Sequence, residues 1–489
     1  MRKSLAAAAI VASFGAYADL ADLELEFFGV EDELDYEGKD LPQINVDDFV
    51  EKTFENLVDH YNMQDDRVYK QRYWINDKYF NEGKEKGPIF IYICGEYRCS
   101  VPDTRLYPFM LGATYNARLL VLEHRFYGDS QPFDDWSLEN LAYLSSQQAL
   151  SDLAYFLGAM KKEYDSEVLV IGGSYPGAMS AWFRERYPHI AIGSWSSSGV
   201  VQPIVDFWQF DEQIYQSTVK SGEWCPEMIQ ESMKYVTQQG KLRDSGDSAN
   251  VISKTLAGGP SSDMRTDDWM FFYADIFVES VQYGGRTALC ETLKGMKGKS
   301  QADIVEAMIP YGAKQGVSAP GYDTRVIADT KVDVNSSSRP WTYQYCTEYG
   351  WFQTPSKKHP MRSPYLDLDY WPAMCERGFP GMKMDKRPKA WANTIDQGGV
   401  SIATDEIFFA NGGEDPWRWA TQQKSQPWLG QVSVLSDCDD CGHCAELYTP
   451  KQGDPKELQQ TRRQVADWIA RLFHKRPGPP HEADFSFLQ

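Results

Sequence analysis

Val168-Leu169-Val170-Ile171-Gly172-Gly173-Ser174-Tyr175-Pro176-Gly177-Ala178 decides how the rest of the chain is read. Its first four residues are apolar and mostly β-branched, the pattern of a buried strand. Two glycines, a serine and then Pro-Gly follow, opening an amphipathic segment that runs to Arg186. A strand that turns sharply into a helix with serine at the apex is a nucleophile elbow. Glycines at 172 and 173 permit the close backbone approach that such a turn needs. The usual pattern is G-x-S-x-G; here Pro176 stands two after the serine and glycine arrives one residue late, at Gly177. Proline is tolerated there, because the first helical N–H groups have no intrahelical partner. The same stretch can also be read as a plain Gly-rich turn. A catalytic serine needs a base and an orienting acid elsewhere in the chain.

Working outward, further strands alternate with helical spacing. Pro88–Cys94 and Leu119–Glu123 read as buried strands, and Leu57–Tyr61 and Gln71–Trp74 as alternating ones. Leu150, Leu153, Ala154 and Leu157 recur at helical spacing, and Ala191–Trp195 reads as another strand. Apolar strands alternating with helices predict an α/β fold with a mostly parallel sheet covered on both faces. The alternation stops near Pro203. Helical patches at Phe207–Val219, Pro226–Gln238 and Trp269–Gln282 then predict an inserted, mainly helical domain over 204–395. Strand patterns resume at Glu406–Asn411 and Val432–Leu435, and Pro455–Phe473 closes the chain as a helix. The core therefore reads as 51–203 plus 396–474, with a Pro-rich flexible tail at 475–489.

The chain of 489 residues begins with Arg2 and Lys3, a short apolar run and Ala16-Tyr17-Ala18. That reads as a secretory signal peptide over 1–18. An acidic segment over 19–50 follows, a mobile stretch or pro-segment. In an oxidising compartment most of the nine cysteines should pair, leaving one over. Cys438, Cys441 and Cys444 around His443 therefore read as a disulfide-rich loop and not as a zinc site. No later run is long and apolar enough to span a membrane. The formal net charge of −21 argues against nucleic-acid and anionic-membrane partners, which require a basic face. It fits either plain solubility or service in an acidic compartment. Asn335-Ser336-Ser337 is a sequon, hence a candidate glycosylation site.

In the α/β-hydrolase order the acid and the histidine follow the serine, on loops after late strands. Seven histidines are present. His60 and His124 precede Ser174, and His189 follows the elbow helix too closely. His359 lies in the inserted region, and His474 and His481 lie at the end. His443 is left, after the Val432–Leu435 strand, and Asp415 sits on the loop after the preceding strand. Ser174 is then the nucleophile, His443 the base and Asp415 the acid. The Tyr175 N–H, with the Gly95-Glu96 turn, supplies the oxyanion hole.

Glu123-His124-Arg125-Phe126-Tyr127-Gly128-Asp129-Ser130, Gly172-Gly173-Ser174-Tyr175, Arg186-Tyr187-Pro188-His189 and Asn411-Gly412-Gly413-Glu414-Asp415-Pro416-Trp417 resemble the secreted and lysosomal proline-specific serine peptidases. That family includes lysosomal Pro-X carboxypeptidase, dipeptidyl peptidase II, thymus-specific serine protease and fungal acid prolyl endopeptidases. Gln71-Arg72-Tyr73 and Cys346-Thr347-Glu348-Tyr349-Gly350 match too, and the similarity runs from about Phe54 to Phe473. The resemblance implies an α/β-hydrolase core interrupted by a helical cap domain over the site. It also implies hydrolysis beside proline, usually at acidic pH, with no cofactor, on proline-containing peptides, and it leaves room for a homodimer. It implies the same Ser174, Asp415 and His443, with Trp417 as an aromatic wall of a proline pocket. It implies Glu96 as a substrate-binding residue that holds a free amine. Cys94-Gly95-Glu96-Tyr97 departs from the family's G-G-E-G or G-N-E-G, and Cys94 is then a partner for Cys99. Two other readings fit the same core: a carboxylester hydrolase and a non-catalytic peptide-binding relative.

Overall fold

The computed structural model describes residues 41–83, 86–101, 105–384 and 389–473. The predicted signal peptide, residues 19–40 of the acidic segment, the 475–489 tail, His474 and His481 lie outside the described residues.

Among the described residues ten strands form two sheets: β1 (Val50–Leu57), β2 (Val68–Asn76), β3 (Ile89–Ile93), β4 (Arg118–Leu122), β5 (Val168–Gly173), β6 (Gly193–Ser197), β7 (Ile204–Asp206), β8 (Gly350–Phe352), β9 (Ile407–Gly412) and β10 (Val432–Ser436). Eight of them make one sheet in the order β1-β2-β4-β3-β5-β6-β9-β10. Only the β1–β2 and β2–β4 pairs are antiparallel. From β4 through β10 every pairing in that sheet is parallel. This is the α/β-hydrolase arrangement, with β5 near its centre.

All six residues of β5 are buried, which explains the lack of polar alternation in its sequence. Successive side chains serve opposite faces. Val168 and Val170 pack with Leu150, Leu153, Leu157 and Trp182 on one side. Leu169 and Ile171 pack with Phe109, Trp195 and Trp468 on the other. The helix Ser146–Tyr164 carries the crossover into β5; the Ser145 hydroxyl caps its start by accepting from the Gln148 N–H, and Asp165 ends it in a left-handed conformation.

Three sequence expectations shift. The first strand lies at Val50–Leu57 and not at 57–61, because its exposed edge position leaves it little apolar alternation to read. Residues 41–49 are packed against the core: Ile44 and Phe49 are buried beside Phe109. The stretch between β6 and β9 is helical, as expected, with helices at Trp208–Thr218, Trp224–Asp244 and Thr266–Gln282. It also holds the short parallel pair β7–β8, which was not foreseen. Three-residue strands are too short to leave a periodic trace.

Glu348, in the turn before β8, joins this stretch to the sheet's crossover helix. Its carboxylate accepts from the backbone N–H and the hydroxyl of Ser146, at the helix start. Burial pushes its pKa up to about 7 against these hydrogen bonds. A carboxyl raised from 4.5 to about 7 binds its proton more tightly folded than unfolded, so the stability it contributes is full below about 4.5 and is lost as pH rises through 7. We expect the melting temperature to fall by several degrees between pH 5 and pH 8. Glu348→Gln should flatten part of that slope, as read by calorimetry across the range; an unchanged slope would discard the assignment.

Candidate active site

Ser174 stands where β5 meets the helix Tyr175–Arg186, with φ 66° and ψ −129°. That is a strained conformation for a residue with a side chain, tolerated only where its surroundings enforce it. The enforcement is visible. The Ser174 N–H donates to the Ser197 carbonyl at 2.9 Å. A Cβ on Gly172 would stand 2.2 Å from the Pro176 carbonyl oxygen, so only glycine lets the turn close. The departure at Pro176 also has a cause: its ring fills the space above Gly95, where a Cβ would meet Pro176 Cγ at 2.4 Å. The loop after β3 thus lies against the first turn of the elbow helix. Tyr175 is the first helical residue, so its N–H has no intrahelical acceptor.

Asp415 lies on the loop after β9 and caps the short helix Pro416–Ala420, its Oδ1 accepting from the Trp417 N–H at 2.9 Å. Its Oδ2 is 2.7 Å from Nδ1 of His443, on the loop after β10, and both side chains are essentially fully buried. Next to Asp415, Glu414 is held by a two-pronged pair with Arg286, at 2.8 and 3.1 Å. That buried pair fixes the acid's loop from the helical side. Burial opposes charging His443, but the Asp415 carboxylate outweighs it, and the imidazole pKa lies well above its ordinary value. His443 Nε2 is buried without a hydrogen-bond partner.

The histidine loop meets the elbow through the next residue. Cys444 N–H donates to the Ser198 hydroxyl, and its sulfur lies 2.9 Å from where a Gly173 Cβ would stand. From the helical side, the carbonyl of Gln282, last residue of Thr266–Gln282, accepts from the His443 N–H at 2.6 Å. Disulfides bracket the site: Cys94–Cys99 beside Gly95 and Glu96, and Cys438–Cys441 just before His443. Cys225–Cys290 and Cys346–Cys375 tie the helical stretch, and Cys444 is free and buried.

Glu96 has one carboxylate oxygen buried without a partner. Burial raises its pKa, while its own backbone N–H, His443 and Arg105 favour the charged form. Trp417 packs edge-on against Phe210 and Trp351 and donates from Nε1 to Gln282. It forms part of the wall of a cavity of about 590 Å³. Asn335 is exposed at that cavity and accepts from Arg98.

The sequence reading missed several neighbours. His124, set aside by chain order, lies 3.0 Å from the Tyr175 hydroxyl; burial lowers its pKa to about 4 and keeps it neutral. Arg125 is locked to Asp152 and Glu123 to Arg72, so these motif residues hold the scaffold. Gln282 and Arg286 carry no local signal, since the Trp417, His443 and Glu414 groups they hold are more than a hundred residues away.

A family model described as serine carboxypeptidase S28 matches residues 56–465. A probable serine protease, EDA2, of Arabidopsis thaliana is 34% identical over 410 residues, covering 81% of this chain and 80% of the relative. Thymus-specific serine protease of Homo sapiens is 26% identical, covering 84% of each chain. Lysosomal Pro-X carboxypeptidase of Mus musculus is 28% identical, covering 85% of this chain and 88% of the relative. Among the described residues no helix is long and apolar enough to cross a membrane.

Proposed function

The chain belongs to the serine carboxypeptidase S28 family and is a serine peptidase; on that premise we propose that it cuts peptides beside proline through Ser174, His443 and Asp415. The observation that carries the assignment is the buried 2.7 Å pair of Asp415 and His443, with Nε2 left open, on a loop packed against the strained serine turn.

In this reading His443 Nε2 takes the Ser174 proton as the hydroxyl attacks the substrate carbonyl. Asp415 fixes the proton on Nδ1 and stabilises the imidazolium. The Tyr175 N–H and the Gly95-Glu96 turn hold the developing oxyanion, each donor contributing about 3 kcal/mol. His443 then returns the proton to the leaving amine, and water repeats the cycle on the acyl-enzyme. Trp417 is the flat surface on which a pyrrolidine ring rests. Glu96, with an unpartnered oxygen, holds a free substrate amine. N-acetylated and free X-Pro peptides cut at equal rates would remove that role.

Residues 51–203 and 396–474 make up the catalytic core and 204–395 the cap. The same proposal includes cleavage of a signal peptide after Ala18, residence in a secreted or lysosomal space, a glycan on Asn335 and a homodimer readable by sedimentation. Four disulfides fit an oxidising compartment, and two relatives are named as extracellular and lysosomal enzymes.

The test is digestion of a mixed peptide library at pH 4 and pH 7, with the new termini read by mass spectrometry. Cuts should cluster beside proline; activity on short acyl esters alone would favour an ester hydrolase. Trp417→Ala should lower kcat/KM for proline peptides roughly 10- to 100-fold, the discrimination an apolar pocket contact supplies. It should leave hydrolysis of a small acyl ester nearly intact. Equal losses on both substrates would assign Trp417 to packing alone.

A further inference from the structure

Beyond Trp417 the 590 Å³ cavity extends among the helices of the 204–395 stretch. Trp341, Trp351, Trp371 and Tyr322 supply much of its wall. Asp275 and Glu279, one turn apart on a single face of Thr266–Gln282, bring carboxylates into that aromatic lining, and Asp333 adds another. Among the described residues the lining contains no lysine, arginine or histidine.

The acids are poorly answered from behind. Asp275 Oδ1 is buried and makes no hydrogen bond. The cation beside it is Arg362, whose Nη2 is 4.0 Å away and whose Nε donates to Asp211. One guanidinium therefore faces two carboxylates, and Glu279 is a third acid nearby. Burial pushes Asp275 up to about 6, with Arg362 and Tyr322 acting the other way. Burial and then Asp275 push Glu279 up to about 7, with His443 acting the other way. Enclosed carboxylates with too little positive charge make a cavity that a cation would complete.

We propose that this cavity is a specificity pocket for a positively charged group of the peptide substrate, a lysine or arginine side chain near the scissile bond. Asp275 and Glu279 are its charge partners, and the tryptophan faces pack against its stem and head. Its position supports this. Trp417 is two residues from Asp415, and Gln282, in the same lining, accepts the His443 N–H, so the pocket adjoins the reacting centre.

The inference rests on the peptidase reading, and the test keeps the two apart. Matched proline peptides carry lysine, norleucine or glutamate beside the proline, each with a free or acetylated amino terminus. They are given to the wild-type chain, Glu279→Gln and Asp275→Asn. Wild type should prefer lysine over norleucine by tenfold or more in kcat/KM and should disfavour glutamate. Each variant should bring the lysine-to-norleucine ratio toward one, and the ratio cancels any general loss of activity. A preference that follows acetylation, and not lysine, would assign the bound cation to the amino terminus. Lysine and norleucine peptides cut equally by wild type, or a ratio that neither variant moves, would overturn the pocket. Failure to cut any proline peptide would overturn the proposed cleavage beside proline instead.

Discussion

Ser174→Ala should reduce peptide hydrolysis by roughly 10⁴- to 10⁶-fold, the range seen when a triad nucleophile is removed and only binding and oxyanion donors are left. The fold should survive, because the hydroxyl is not what holds the turn. Ser174 is kept in place by its backbone hydrogen bond to Ser197 and by the tight approach of Gly172 to Pro176. Circular dichroism and melting temperature should therefore match wild type within a few degrees. A fluorophosphonate probe should label wild type at Ser174 and leave the variant unlabelled. An active Ser174→Ala protein, or labelling at another serine, would discard the assignment of the nucleophile.

Asp415→Asn should cost about 10⁴-fold in kcat with little change in fold. Asparagine has one acceptor oxygen where aspartate has two. Asp415 uses one oxygen to cap the Trp417 N–H and the other to receive the His443 Nδ1 proton. If the asparagine oxygen keeps the cap, its amide NH₂ faces Nδ1 and forces the proton onto Nε2. The imidazole can then no longer accept from Ser174. The loop keeps its shape because Glu414 and Arg286 still hold it. Activity of the variant within tenfold of wild type would show that another carboxylate orients the histidine.

The core of the candidate site was legible because its signals are local. The apolar run at 168–171 with its following glycines specifies strand and turn within a dozen residues, and the structure has β5 and its helix there. Asp415 and His443 followed from chain order, a property of parallel sheets whose loops all emerge at one end. What escaped was non-local or short. Asp275 and Glu279 look like any solvent-facing acids on a helix; their enclosure depends on tryptophans 62 to 142 residues further on. His124 was dismissed by order, yet it lies beside the elbow because β4 neighbours β3 and β3 neighbours β5. Glu348 read as a motif residue without a task, and its partner Ser146 is 202 residues away.

The two tight cystine clasps, closing five- and three-residue spans at either side of the proposed reacting centre, bear on how the protein is made. A chain produced in a reducing bacterial cytosol would still assemble its eight-stranded sheet, whose pairing needs no sulfur chemistry. It would do so with the Gly95-Glu96 turn and the His443 loop unpinned. Such a preparation should give low and variable turnover, and oxidative refolding or export to a periplasm should restore the rate.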